Sequence, residues 1–359
     1  MHTPASATLV GADLSRAGAV ALALLGIVFA ARPQSLAVDP FAVLKPDIDI
    51  GPEDRQKLDA RGVVIKILPA KDHELAVLSA GALNTTSTEL ARKIDDIAGL
   101  KRSQLVPQIG RFSDPPSLAD LQPLTLDDGD VNTIKECRPG DCGLKLSQPE
   151  IDALRRVFDR TSGSRPGDAI NQEFRRIVLE RVDAYLKRGL AGLPEYATGR
   201  NQVDLATAFA GLLQNSPFMQ ARAPQFAAYL ARYPAASAPP ATTSSFLYWS
   251  KETYAWKPII SVTHVTIVQP NRSDGFPELV MASREVFATR YTSGGLVLTL
   301  LLRGSDTGAP HYLVYVNRAW VDGLHAFWRP FVNHHIRSQG PRVFDATRAR
   351  IEGSSDVTR

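Results

Sequence analysis

From residue 246 onward the chain is written in strands. Five apolar segments, 246–252, 259–269, 279–288, 296–303 and 312–318, are rich in Val, Ile, Leu, Phe and Tyr. Clusters of turn residues separate the later ones: Pro270, Asp274 and Gly275, then Ser293, Gly294 and Gly295, then Gly304, Gly308 and Pro310. Parallel neighbours need a crossover of roughly a dozen residues or more, and these connections are shorter, so an antiparallel meander is expected. Residues 321–337 follow as an amphipathic helix carrying Leu324, Phe327, Trp328, Phe331 and Ile336, with Pro330 expected to kink or shorten it. The end of the chain, 341–359, reads as a polar tail.

Upstream, 63–68 and 74–83 read as a strand pair with Pro69 and Asp72 in the turn, and Ser87 opens a short helix through Leu90, Ile94 and Ile97. Residues 101–146 are proline-punctuated and read as irregular. The pattern then changes to helix over 147–233. Ser147 and Glu150 make a capping box ahead of Ile151, Leu154 and Val157, and a longer stripe runs through Phe174, Ile177, Val178, Val182 and Tyr185. Two further helices are expected over 203–214 and 218–233. The segment 234–245 (PAASAPPATTSS) has no large apolar side chain and reads as a linker. The expected division is therefore 38–146, a helical block at 147–233, the linker, a sheet with its helix at 246–340, and the tail. The fold class is α+β: a curved antiparallel sheet with a closing C-terminal helix, interrupted by a helical insertion.

This order of elements resembles helix-grip proteins of the START type, in which a curved antiparallel sheet wraps a long C-terminal helix around an apolar ligand cavity. The resemblance covers about half the chain and rests on element order. It implies a cavity between sheet and terminal helix that takes an apolar or amphiphilic molecule. Separately, the segment CRPGDCGLKL at 137–146 resembles one found in exported bacterial proteins of unknown function.

Residues 17–31 form an unbroken small and apolar run between Arg16 and Arg32, the length of a signal-peptide core and short of the ~20 residues of a membrane span. Residues 1–37 are expected to be a signal peptide, with cleavage after Ala30, Ala31 or, preferentially, Ala37. That places the protein in the bacterial periplasm or outside the cell, with no stable span after cleavage. In that setting Cys137 and Cys142, flanking a Pro-Gly turn, are expected to form a disulfide. With 41 basic against 37 acidic residues the net charge is only +4, so nucleic acid is not expected as a partner.

No nucleophile elbow, zinc-binding helix, P-loop or dinucleotide fingerprint occurs, so no catalytic residue, metal or cofactor is assigned. The candidate ligand contacts are His264, placed on an apolar strand face, and Arg284, Arg290 and Tyr291, at or near the ends of strands. A guanidinium facing a cavity would hold a carboxylate or phosphate in two-point fashion. The expected function is that of an exported protein binding a lipid or other amphiphilic small molecule. The alternatives are a hydrolase or lyase that pairs His264 or His311 with an acid such as Asp322, and an envelope interaction module using the helical block.

Overall fold

A computed structural model describes residues 39–161, 167–198, 201–253, 256–271, 275–304 and 309–353. The expected signal peptide and its three cleavage positions lie outside the described residues. In chain order the elements are α1 (Pro52–Asp59), β1 (Val63–Ile67), β2 (Glu74–Leu83), α2 (Ser87–Asp95), α3 (Ile97–Lys101), β3 (Gln108–Arg111), α4 (Asp128–Thr133), α5 (Gln148–Arg160) and α6 (Gly167–Arg188). They continue with β4 (Tyr196–Thr198), β5 (Asn201–Val203), α7 (Leu205–Gln214), α8 (Pro217–Arg222), α9 (Pro224–Arg232), β6 (Thr242–Glu252), β7 (Ile259–Val268), β8 (Leu279–Ala288), β9 (Thr292–Leu302), β10 (His311–Val321) and α10 (Arg329–Glu352).

Eight strands form one antiparallel sheet in the order β1-β2-β10-β9-β8-β7-β6-β3. The meander β6 to β10 is its centre. The N-terminal third supplies both edges, with β2 running along β10 from His311↔Leu83 to Trp320↔Glu74 and β3 on β6. Bulges interrupt the ladder at Val262/Thr263 and at Trp320/Val321, where the extra residue bends the strand. The fold class is α+β, with the helical segment inserted between β3 and β6.

Alternation along the strands gives the sheet two apolar faces. On one, Leu78, Ala80, Val262, Val280, Leu298 and Val314 share a single core with Leu154, Phe174, Val182, Tyr185, Phe209 and Leu212 of the inserted helices. On the other, Leu83, Val265, Ile267, Leu301 and Leu313 pack against Leu90 and Ile94 of α2 and Phe344 and Ile351 of α10. The insertion and the sheet thus bury one another.

Several boundaries differ from the sequence reading, each for a local reason. Val321 remains in the sheet, donating its N–H to His73 O at 2.9 Å, so the terminal helix starts eight residues later than expected, at Arg329, with Pro330 in its first turn, where the missing N–H costs nothing. It then continues to Glu352, so most of the expected polar tail is helix. Phe344 and Ile351 are buried, and Glu352 accepts two hydrogen bonds from Arg61 and one from the Asn84 N–H. Gly81 faces Phe344 so closely that a Cβ there would lie 2.4 Å from the ring, which is why that strand position holds glycine. The helix expected at 218–233 is split at Ala223, because Pro224 disfavours helical backbone in the residue before it. The last four residues of the expected linker, Thr242 to Ser245, begin β6.

Cys137 and Cys142 form a disulfide with Cα atoms 4.5 Å apart. Between them Arg138 and Asp141 exchange both backbone hydrogen bonds, at 3.1 and 2.9 Å, and Gly140 takes φ +78°, as position three of a Pro-Gly type II turn requires.

Candidate functional site

His264 of β7 and Arg284 of β8 are direct register partners. Both project toward the inserted helices and away from α10, and pack among Tyr185 of α6, Phe209 of α7 and Tyr233 just after α9. The Tyr185 hydroxyl lies 2.7 Å from His264 Nδ1, and Ser245 Oγ lies 2.9 Å from Nε2. The ring of Tyr233 packs edge-on to the imidazole at 4.6 Å and stacks on Tyr185 at 5.1 Å. The Arg284 guanidinium carbon is 4.8 Å from the Phe209 ring centre, 5.4 Å from that of Tyr185 and 5.5 Å from that of Tyr233.

Arg284 is 2% exposed, and among the described residues no carboxylate pairs with it. Its Nε and Nη2 have no acceptor. Covalent geometry puts those two nitrogens on one edge of the guanidinium, the edge that grips a carboxylate through two parallel bonds. The surroundings relieve the charge only in part, through the Tyr185 hydroxyl. Burial, and secondarily the Arg284 charge, lowers the His264 pKa to about 3, so the imidazole is neutral. Burial also pushes the Tyr185 hydroxyl up, so it stays protonated. Aromatic faces return part of the lost solvation, but a buried unpaired ion still costs several kcal/mol.

Arg290 and Tyr291 occupy a different place, the turn from β8 into β9. Arg290 is fully committed: Nε donates to Gly143 O at 3.0 Å, Nη1 to Pro258 O at 2.7 Å and Nη2 to the buried carboxylate of Asp130 at 2.7 Å. Tyr291 takes φ +68°, accepts the Lys257 N–H on its hydroxyl and the Asp322 N–H on its carbonyl. The four expected contacts therefore divide two and two, and only His264 and Arg284 meet.

A second buried polar cluster, absent from the sequence reading, lies beside that turn. Lys145 Nζ is 2.5 Å from Asp322 and 3.0 Å from Ser293 Oγ, and Ser293 Oγ donates to Asp322. Glu285 accepts from Thr292 Oγ1 at 3.0 Å, while its other oxygen is sealed without a partner. Burial pushes the Glu285 carboxyl up to about 7, opposed by the Thr292 hydroxyl and Lys145. A carboxyl whose folded-state pKa exceeds its ordinary 4.5 contributes most to stability below that ordinary value, and the contribution is lost as pH rises through about 7. Glu285→Gln is expected to flatten the fall in urea midpoint across roughly pH 5 to 7. A variant whose pH profile parallels that of the parent would remove Glu285 as its source.

Of the acid–base pairs expected for a hydrolase, neither histidine meets Asp322, but His311 does pair with a carboxylate, that of Glu278. His264 has hydroxyl partners. His311 pairs with Glu278 at 3.0 Å at the start of β10, whereas Asp322 follows the far end of that strand and is held by Lys145 and Ser293. Among the described residues, no three His, Cys, Asp or Glu side chains are placed to hold a metal ion, and no helix is long and apolar enough to cross a membrane.

Two depressions adjoin the helical face. A surface groove of about 360 Å³ is lined by Tyr229, Arg232, Ala235, Ala236 and Pro239, on either side of the half-buried Tyr233 in the chain. A smaller pocket of about 130 Å³ is apolar apart from Asp47, Ser216 and Arg318, lined by Leu44, Ile48, Phe218, Leu300 and Val316. Its Arg318 is neutralised by Glu74 at 2.5 Å. No family model, curated protein or solved structure matches this chain.

Proposed function

We propose that this protein is an exported binder of an amphiphilic carboxylate, held at its head by Arg284 and along its tail by the apolar side chains between the sheet and the inserted helices. The observation that carries the reading is the Nε/Nη2 edge of Arg284, buried among aromatic rings and without an acceptor. A carboxylate there would convert an uncompensated ion into a two-point, charge-assisted pair. The neutral imidazole of His264 and the protonated Tyr185 supply polarity without competing charge. Tyr233, whose ring centre is 5.5 Å from the Arg284 guanidinium carbon, lies in the chain between residues that line the outer groove.

The helix-grip resemblance supports a ligand role for the sheet but not the same cavity. In this chain α10 is seated directly on β1 and β2 at Gly81, and the candidate contacts face the opposite side. The disulfide supports export, because such a bond persists in an oxidising compartment.

The test is thermal stabilisation of the full protein by straight-chain fatty carboxylates, set against alcohols of the same length. Carboxylates are expected to raise the unfolding temperature in proportion to chain length, and alcohols to do so weakly. Equal effects of the two series, or none from either, would overturn the assignment of a carboxylate head to Arg284.

A further inference from the structure

The N-terminal turn of α10 exposes three aromatic rings to solvent. Phe327 is 70% exposed, Trp328 50% and Phe331 62%, and they pack on one another with ring centres 5.2, 5.9 and 6.1 Å apart. Large apolar side chains scattered singly on a surface need no explanation, but a contiguous aromatic cluster does. The cluster is also fixed in place. Arg329 donates to the carbonyls of Asp72 in the β1–β2 connection and of Glu74 at the start of β2, and His325 packs edge-on to His73, which in turn meets Trp320.

Between Asp322 and Asp345 the charges along the chain have one sign, with the exposed Asp72 beside Arg329 as the nearby acid. From Gly323 to Phe344 the chain carries Arg329, Arg337 and Arg342 with His325, His334 and His335, and no Asp or Glu. Arg337, Arg342, His334 and His335 are exposed along the helix that leaves the aromatic turn. Amphipathic rings beside a cationic stripe match the boundary of an anionic bilayer, where rings enter at headgroup depth and each nearby cation adds attraction. The export expected from the apolar run at residues 17–31 would bring the chain to a membrane.

We infer that Phe327, Trp328 and Phe331 dock this protein on an anionic lipid surface. The surface is distinct from the Arg284 site and does not depend on it.

The test is quenching of tryptophan fluorescence in the full chain by vesicles of brominated phosphatidylcholine, with and without brominated phosphatidylglycerol. Quenching is expected with the anionic mixture, to be retained in Trp256→Phe and lost in Trp328→Phe. Partitioning of Phe331→Ser is expected to be about tenfold weaker, the scale of one apolar ring withdrawn from the interface. Quenching unchanged in Trp328→Phe would place lipid contact elsewhere on the chain and overturn the inference. So would equal quenching by neutral and anionic vesicles, or lipid-free self-association abolished by Phe331→Ser, which would make a second copy the occupant.

Discussion

Arg284→Met is expected to give a ligand-free protein more stable than its parent by about 1–4 kcal/mol, the range seen when buried ionic groups are replaced by apolar side chains of similar volume. The sign follows from the surroundings. Arg284 is buried beside a neutral histidine and three aromatic rings, with two nitrogens unpartnered and, among the described residues, no carboxylate partner, so methionine removes a desolvated charge without orphaning an anion. The same substitution is expected to abolish stabilisation by fatty carboxylates. Urea unfolding of delipidated protein, with and without a carboxylate, measures both effects. A loss of about 3 kcal/mol or more in the variant would assign Arg284 to structure, with the aromatic cage as the reason for its presence.

Arg290→Ala is expected to act in the opposite direction, lowering stability by about 3–5 kcal/mol. The two arginines are only six positions apart, yet Arg290 is paired with the buried carboxylate of Asp130 and holds the carbonyls of Gly143 and Pro258. Its removal leaves Asp130 charged, buried and alone, and frees the disulfide-bearing segment from the β8–β9 turn. Asp130→Asn combined with Arg290→Met is expected to recover a large part of the loss, because neither partner is then an unpaired ion. Denaturant midpoints of the single and double variants measure this. Additive losses in the double variant would refute the pairing as the source of the effect.

The arrangement of the sheet was legible because its signals are local. The spacing of turn residues fixes the meander, and the strand-length runs at 63–68 and 74–83 coincide with β1 and β2 within a residue. The capping box of Ser147 and Glu150 marks the start of α5. What escaped was decided at long range. Strand β3 is four residues in a proline-rich stretch, and it exists because β6 offers an edge; Trp249 of β6 also reaches across to donate to Asp120 O at 2.8 Å. Helix α10 outruns its apolar pattern because single residues, Phe344 and Ile351, are enough to seat it on a surface already formed.

The candidate site was half legible for the same reason. Alternation placed His264 on an apolar face, and the pleat then put Arg284 opposite it. Nothing local marks Tyr185, Phe209 or Tyr233 as their enclosure, since each reads as one more core aromatic in its own helix. Nor does local pattern separate Arg284 from Arg290. The difference is the presence of Asp130, which is 160 residues away in the chain. The cluster of Lys145, Ser293, Asp322 and Glu285 has no sequence signature, because three separate segments bring it together.

The placement of β2 sets the order of events as the chain is made. Its outer partner β1 is close at hand, but its other neighbour is β10, so the pairing of Leu83 with His311 must wait until nearly the whole polypeptide has been synthesised. A hairpin that ends in open hydrogen-bonding groups cannot complete a sheet by itself, and contacts this distant in sequence form slowly. A nascent chain of this design cannot join β2 to the meander until its last strand emerges. A chain cut short before residue 311 therefore retains an unpaired edge by which proteases and aggregation can recognise it.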